Sequence, residues 1–176
     1  MKKAQTFCTM EKTSKADLLE KGLKEIRKTA VYVGIAKGAD QEYRKGEPIS
    51  NSDLGFIHEK GSPANRIPPR PFLVPGVASV KDSIKPDMQK AAKAALNGDI
   101  ANFDKLMERI ALKAQVAVPN YVKTHQGDFV PLKPKTIEAR KRKIKAVRGI
   151  GSNITILMDT GQLVGAIMGV VVKDKK

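Results

Sequence analysis

The cleanest pattern in the chain lies between residues 100 and 121. Ile100, Phe103, Met107, Ile110, Ala114, Ala117 and Tyr121 follow one another by alternating steps of three and four. That spacing places them on one stripe of an α-helix, with Lys105, Glu108, Arg109 and Lys113 facing away. Pro119 is expected to end or bend this helix. Upstream, Val77, Val80, Ile84, Met88, Ala91 and Ala95 keep one apolar face through a second long helix that stops at Asn97-Gly98. Pro86 is a potential kink in it, since an interior proline loses a hydrogen bond at a cost of about 3 kcal/mol. The tight Asn97-Gly98-Asp99 link joins the two helices as an antiparallel hairpin.

The first dozen residues are polar and unpatterned and read as an arm or an edge strand. Ser14 followed by Asp17 resembles a helix N-cap with an acid in its first turn, and Leu18, Leu19, Leu23 and Ile26 then recur at helical spacing. Residues 30–36 are rich in β-branched side chains and read as a strand, followed by a polar loop over 37–47. Residues 52–59 make two helical turns closed by Gly61 as a C-terminal cap. Five prolines between Ser62 and Pro75 exclude regular helix or a central strand. They describe an extended, pre-stiffened connector with Ile67, Phe72 and Leu73 as anchors. Ile137, Ile144 and the basic residues around them suggest a further short helix, and Gly149, Gly151 and Ser152 a loop. A helical turn from Asp159-Thr160-Gly161 to Ile167 and a strand at 170–172 complete the pattern. With neither an internal repeat nor a sharp composition shift, the expectation is an arm over 1–13 and one α+β domain over 14–176. Its small antiparallel or mixed sheet packs against the long helical hairpin.

Composition changes this picture in one respect. The chain of 176 residues carries 33 Lys and Arg against 18 Asp and Glu, a formal net charge of +15. Such an excess favours anionic partners, whether nucleic acid, acidic protein surfaces or lipid headgroups, without choosing among them. The densest run is Arg140-Lys141-Arg142-Lys143, a candidate contact for phosphate or for an acidic partner. No apolar stretch approaches the roughly 20 residues that span a bilayer, so no membrane role is expected. The lone Cys8 supports neither an internal disulfide nor a metal site.

Catalytic chemistry finds little footing. His58-Glu59 is the one His/Glu adjacency, His125 is remote, and no further His or Cys stands at ligand spacing. Gly149-Ile150-Gly151 lacks the Lys-Ser/Thr of a phosphate loop. No cofactor, no metal and no catalytic residue is expected, and the chain reads as a non-enzyme.

Two segments, taken together, resemble a known family. The first runs Glu47-Pro48-Ile49-Ser50-Asn51, then Ile57-His58-Glu59-Lys60-Gly61-Ser62-Pro63 and Ile67-Pro68-Pro69-Arg70-Pro71-Phe72-Leu73. The second runs Pro131-Leu132-Lys133-Pro134-Lys135-Thr136-Ile137, then Leu157-Met158-Asp159-Thr160-Gly161-Gln162-Leu163 with Ala166-Ile167. Their order is similar to that of tailed-phage virion morphogenesis proteins of the neck or tail-completion (head–tail joining) group. The resemblance covers the chain from about Ala30 onward. It departs at Val164, where such proteins often carry a basic or polar residue.

The resemblance implies a structural virion protein at the head–tail junction, assembled in the bacterial host cytoplasm. It implies a cyclic homo-oligomer, a hexamer ahead of a dodecamer, meeting the connector on one side and the tail tube or tail terminator on the other. The packaged DNA would pass nearby without specific contact. His58, Glu59, Gly61, Arg70, Pro71, Phe72, Asp159, Thr160 and Gly161 would then serve local structure or interfaces. The charge keeps a basic DNA-binding accessory protein as the alternative, and a small phage enzyme built on His58 and Glu59 as a more distant one.

Overall fold

The computed structural model describes residues 2–36, 49–146, 154–159 and 161–174, with the backbone alone for 2–14 and 143–146. Among the described residues, seven helices and a two-stranded antiparallel sheet make it an α+β structure, as the patterning predicts. The elements are α1 (Lys2–Lys28), β1 (Thr29–Gly34), α2 (Asn51–Lys60), α3 (Leu73–Ala78), α4 (Lys81–Leu96), α5 (Ile100–Thr124), α6 (Pro134–Ala146), α7 (Gln162–Gly165) and β2 (Met168–Lys173). Single 3-10 turns stand at Pro63–Asn65 and Gln126–Asp128. The expected loops over 37–47 and 149–152 fall outside the described residues.

The chain divides into two compact units, and α5 supplies its first half to one and its second half to the other. The first unit combines residues 1–32, 81–113 and 169–176. Its core is Ala91, Ala94 and Ala95 of α4 against Phe103, Leu106, Met107 and Ile110 of α5, with Ile26, Val31, Ile84 and Val171 packed around them. Burying each large side chain contributes about 1.5–3 kcal/mol. The alanine face of α4 lets its neighbours come close. A Cβ added to Gly22 of α1 would lie 2.3 Å from the carbonyl oxygen of Ala95, so only glycine permits this crossing of α1 over α4. At Gly169 of β2 an added Cβ would lie equally close, 2.3 Å, to the carbonyl oxygen of Ala111 on α5.

Asp87, buried on α4, sits between Arg109 and Lys113 of α5, and Lys113 Nζ also donates to the Ser83 carbonyl at 3.2 Å. Partners that move backward on α4 as they advance on α5 give the antiparallel hairpin expected from the Asn97–Asp99 link. Gly98 makes the turn at φ 81°, and Asp99 Oδ1 caps α5 by accepting from the Asn102 amide.

The second unit combines residues 33–80 and 114–168. Phe72, Val118, Val122, Phe129, Leu157, Leu163, Val164 and Ile167 form its core. The α3 helix lies directly on α5, where a Cβ at Gly76 would stand 2.9 Å from Val118 Cα.

Several expectations are corrected. The polar N-terminal stretch is helical from Lys2, so the helix does not begin at Ser14. Leu18, Leu19 and Leu23 stay about half exposed (44–47%), and the buried residue among them is Gly22. The expected helix through 77–95 is two helices, interrupted where Ser79 Oγ donates back to the Gly76 carbonyl. The proline connector already turns helical at Leu73, since Pro75 falls in the first turn of α3, where its missing N–H has no helical acceptor to lose. Pro119 does not end α5, which continues to Thr124. Complete burial of Val118 and Val122 on either side offsets its cost of about 3 kcal/mol. Arg109 and Lys113 do not simply face away; both turn to Asp87.

Candidate functional site

The residues singled out by sequence converge in the second unit. Ser50 caps α2, its Oγ accepting from the Asp53 amide at 3.1 Å, and Gly61 closes that helix at φ 79°. A Cβ at Gly61 would meet the Pro69 nitrogen at 2.9 Å, so glycine serves both the turn and the close approach of the proline segment. His58 and Glu59 therefore sit in the last turn of a well-capped helix beside residues 67–72.

Glu59 caps a helix other than its own. Its Oε2 accepts from the amides of Phe72 at 2.8 Å and Leu73 at 3.0 Å, and its Oε1 from Val74 at 3.3 Å. These are orphan donors at the start of α3, where Phe72 occupies the capping position and has no side-chain acceptor to offer. Arg70 does comparable work for carbonyl groups. It is 7% exposed, and its Nε and Nη2 donate to the carbonyls of Val130 (2.7 Å) and Pro131 (3.1 Å). Its own amide donates to the His58 carbonyl at 2.7 Å. One arginine thus ties α2 and the proline segment to the stretch leading into α6. Phe72, next but one, anchors the core at 1% exposure, and Pro71 stiffens the step between them.

His58 Nδ1 is buried and has no hydrogen-bond partner. Burial first, then the positive charges of Arg70 and Arg140, hold its pKa below the ordinary imidazole value of 6.5. Neutral His58 beside an engaged Glu59 forms no acid–base pair: the carboxylate is taken up by three amides. Among the described residues no group of three His, Cys, Asp or Glu could hold a metal ion.

The second motif segment meets the first through α6. Arg140 turns inward, its Nη1 donating to the Thr155 carbonyl at 2.6 Å and its Nε lying 3.5 Å from Asp159 Oδ1. Lys141 and Arg142 remain exposed. Arg140 thus has a structural task that the exposed Lys141 and Arg142 lack among the described residues. Gly161 starts α7 in the left-handed region at φ 78°. Thr160 and the side chain of Lys143 lie outside the described residues.

Gln126 was not singled out by sequence. Its Oε1 accepts from the Ile156 amide at 2.6 Å and its Nε2 donates to the Val122 carbonyl, so it pins the tight turn before Asp159 to the end of α5. Nothing local marks such a residue, because its partner is 30 positions away. Beside Glu59 lies a cavity of about 290 Å³ lined by Gly34, Ile35, Gly55, Phe56, Phe72 and Leu73, with Phe56 and Val74 largely exposed (66% and 68%). No helix among the described residues is long and apolar enough to cross a membrane. No family model matches the chain, and no curated protein or solved structure matches it either.

Proposed function

We propose that the chain is a non-enzymatic structural subunit of a tailed-phage head–tail junction, a neck or tail-completion protein. In this reading it forms a ring, a hexamer ahead of a dodecamer, between the connector and the tail tube or tail terminator. Assembly takes place in the host cytoplasm.

The observation that carries the reading is the use made of the motif residues. The described parts of the segments 47–73 and 131–167 that resemble this family meet in one unit, where Glu59, Arg70 and Arg140 fix backbone segments to one another. Side chains held this way present a rigid surface, which lowers the entropy lost on docking a neighbour. Two exposed apolar features support a docking role: Phe56 and Val74 in the second unit, and Tyr32 with Val170 and Val172 in the first.

The test is genetic. A phage with a stop codon in this gene should yield filled heads and finished tails that fail to join, and supply of the protein should restore complete particles. Complete, infectious particles made without it would refute the proposal. Light scattering of the purified protein then reads the stoichiometry.

A further inference from the structure

We propose that the second unit carries a face for the phosphate backbone of duplex nucleic acid, formed by Arg66, Lys133, Lys135 and Arg142 and indifferent to base sequence. The inference does not depend on the head–tail reading.

All four residues are exposed, and no carboxylate among the described residues pairs with any of them. The α6 helix has six basic residues against one acid, Glu138. Arg140 is committed inward, whereas Lys135 and Arg142 stand two turns apart on its solvent stripe, about 10 Å along the axis, with the exposed Glu138 as the one acid on that stripe between them. Arg66 comes from a distant part of the chain and is brought to this end of α6 by a defined contact. Lys133 Nζ donates to the Arg66 carbonyl at 3.2 Å, across 67 positions. The Lys133 ammonium is thereby held against the backbone of a second cationic residue.

The backbone at Arg66 adds to this. It adopts φ 53°, the left-handed region, at the end of the Pro63–Asn65 turn that is closed by paired Ser62 and Ile67. A residue with a side chain occupies that region at a cost of about 1 kcal/mol, and glycine would not. An arginine held in strain with its side chain in solvent calls for a use of that side chain.

The chemistry of the face separates its partners. No large apolar side chain of α6 is exposed among the described residues, so it lacks the apolar centre of a protein interface. None of its members is aromatic, so it has no platform on which single-strand bases stack. An array of exposed cations fits the evenly charged backbone of a duplex.

The test is fluorescence anisotropy with a labelled duplex of about 20 base pairs, read over a range of salt. The variant R66Q/K135Q/R142Q keeps Lys133 and its bond to the Arg66 carbonyl. It should bind at least about tenfold more weakly at low salt, with a log–log salt slope shallower by about 3, near 0.9 for each lost contact. The charge-matched variant K85Q/K90Q/K105Q, altered at exposed positions of the first unit, should bind as the parent does. R66K/K135R/R142K should retain affinity, which separates lost charge from lost fold. Equal binding by the parent and R66Q/K135Q/R142Q would overturn the inference. So would an equal loss in the charge-matched variant, or binding to a polyglutamate peptide with none to the duplex.

Discussion

Replacing Glu59 by alanine tests how the second unit is held together. The carboxylate is the acceptor for three amides at the start of α3, at 2.8, 3.0 and 3.3 Å. The Phe72 amide belongs to a residue only 1% exposed, so water replaces its lost acceptor poorly. A buried unsatisfied donor costs about 1–3 kcal/mol, and loss of a helix cap about 0.5–2 kcal/mol. Val74 is largely exposed, so its amide regains a partner from solvent and adds little. The expected loss is therefore about 2–4 kcal/mol. For a chain of this length that is a fall of about 5–15 °C in Tm. Glu59→Gln keeps an acceptor oxygen without the charge and should lose about 1 kcal/mol. Urea unfolding followed by circular dichroism gives the magnitude, and hydrogen exchange of a peptide over residues 72–80 gives the location. An alanine variant within about 0.5 kcal/mol of the parent, or unchanged protection over 72–80, would refute the capping role.

Two further perturbations probe other contacts. At a solvent-facing helix position Gly22→Ala would stabilise by about 1 kcal/mol; here the new Cβ would lie 2.3 Å from the Ala95 carbonyl oxygen, so Tm should fall, and a rise would refute the α1–α4 crossing. For His58 the folded pKa lies below the unfolded value near 6.5, so the imidazole makes no difference to stability above that pH. As pH drops below 6.5 the unfolded chain takes up a proton that the folded chain resists, and stability declines until the folded pKa is passed. Urea midpoints from pH 7.5 to 5 should show this decline, and His58→Gln should lessen it; parallel curves would show that His58 is not responsible.

How much of this could be read from residue order depends on the range of the interaction. The α5 stripe was legible because every third or fourth residue faces a core, and the 52–61 helix because its stop is a local glycine. The N-terminal half of α1 was not, since its polar residues carry no periodic apolar face. The break between α3 and α4 escaped notice because Val77, Val80 and Ile84 stay in phase across it, while the interruption comes from Ser79. At the candidate site, the order of the motifs marked Glu59, Arg70 and Phe72 as a group. The partners of Glu59 and Arg70 are 13 to 61 positions away, so the capping and carbonyl-binding roles appear only once the chain is folded.

The pairing of β1 with β2 joins residues 29–34 to 168–173, more than 130 positions further along the chain. During synthesis β1 therefore leaves the ribosome long before the strand that completes its ladder exists. The α4–α5 hairpin, made of near neighbours, is free to form in the meantime, whereas closing the sheet awaits residues 168–173. Until then an apolar strand edge with Val31 and Val33 stands open to any extended chain in reach. Faster translation shortens that exposure, and a stalled ribosome prolongs it.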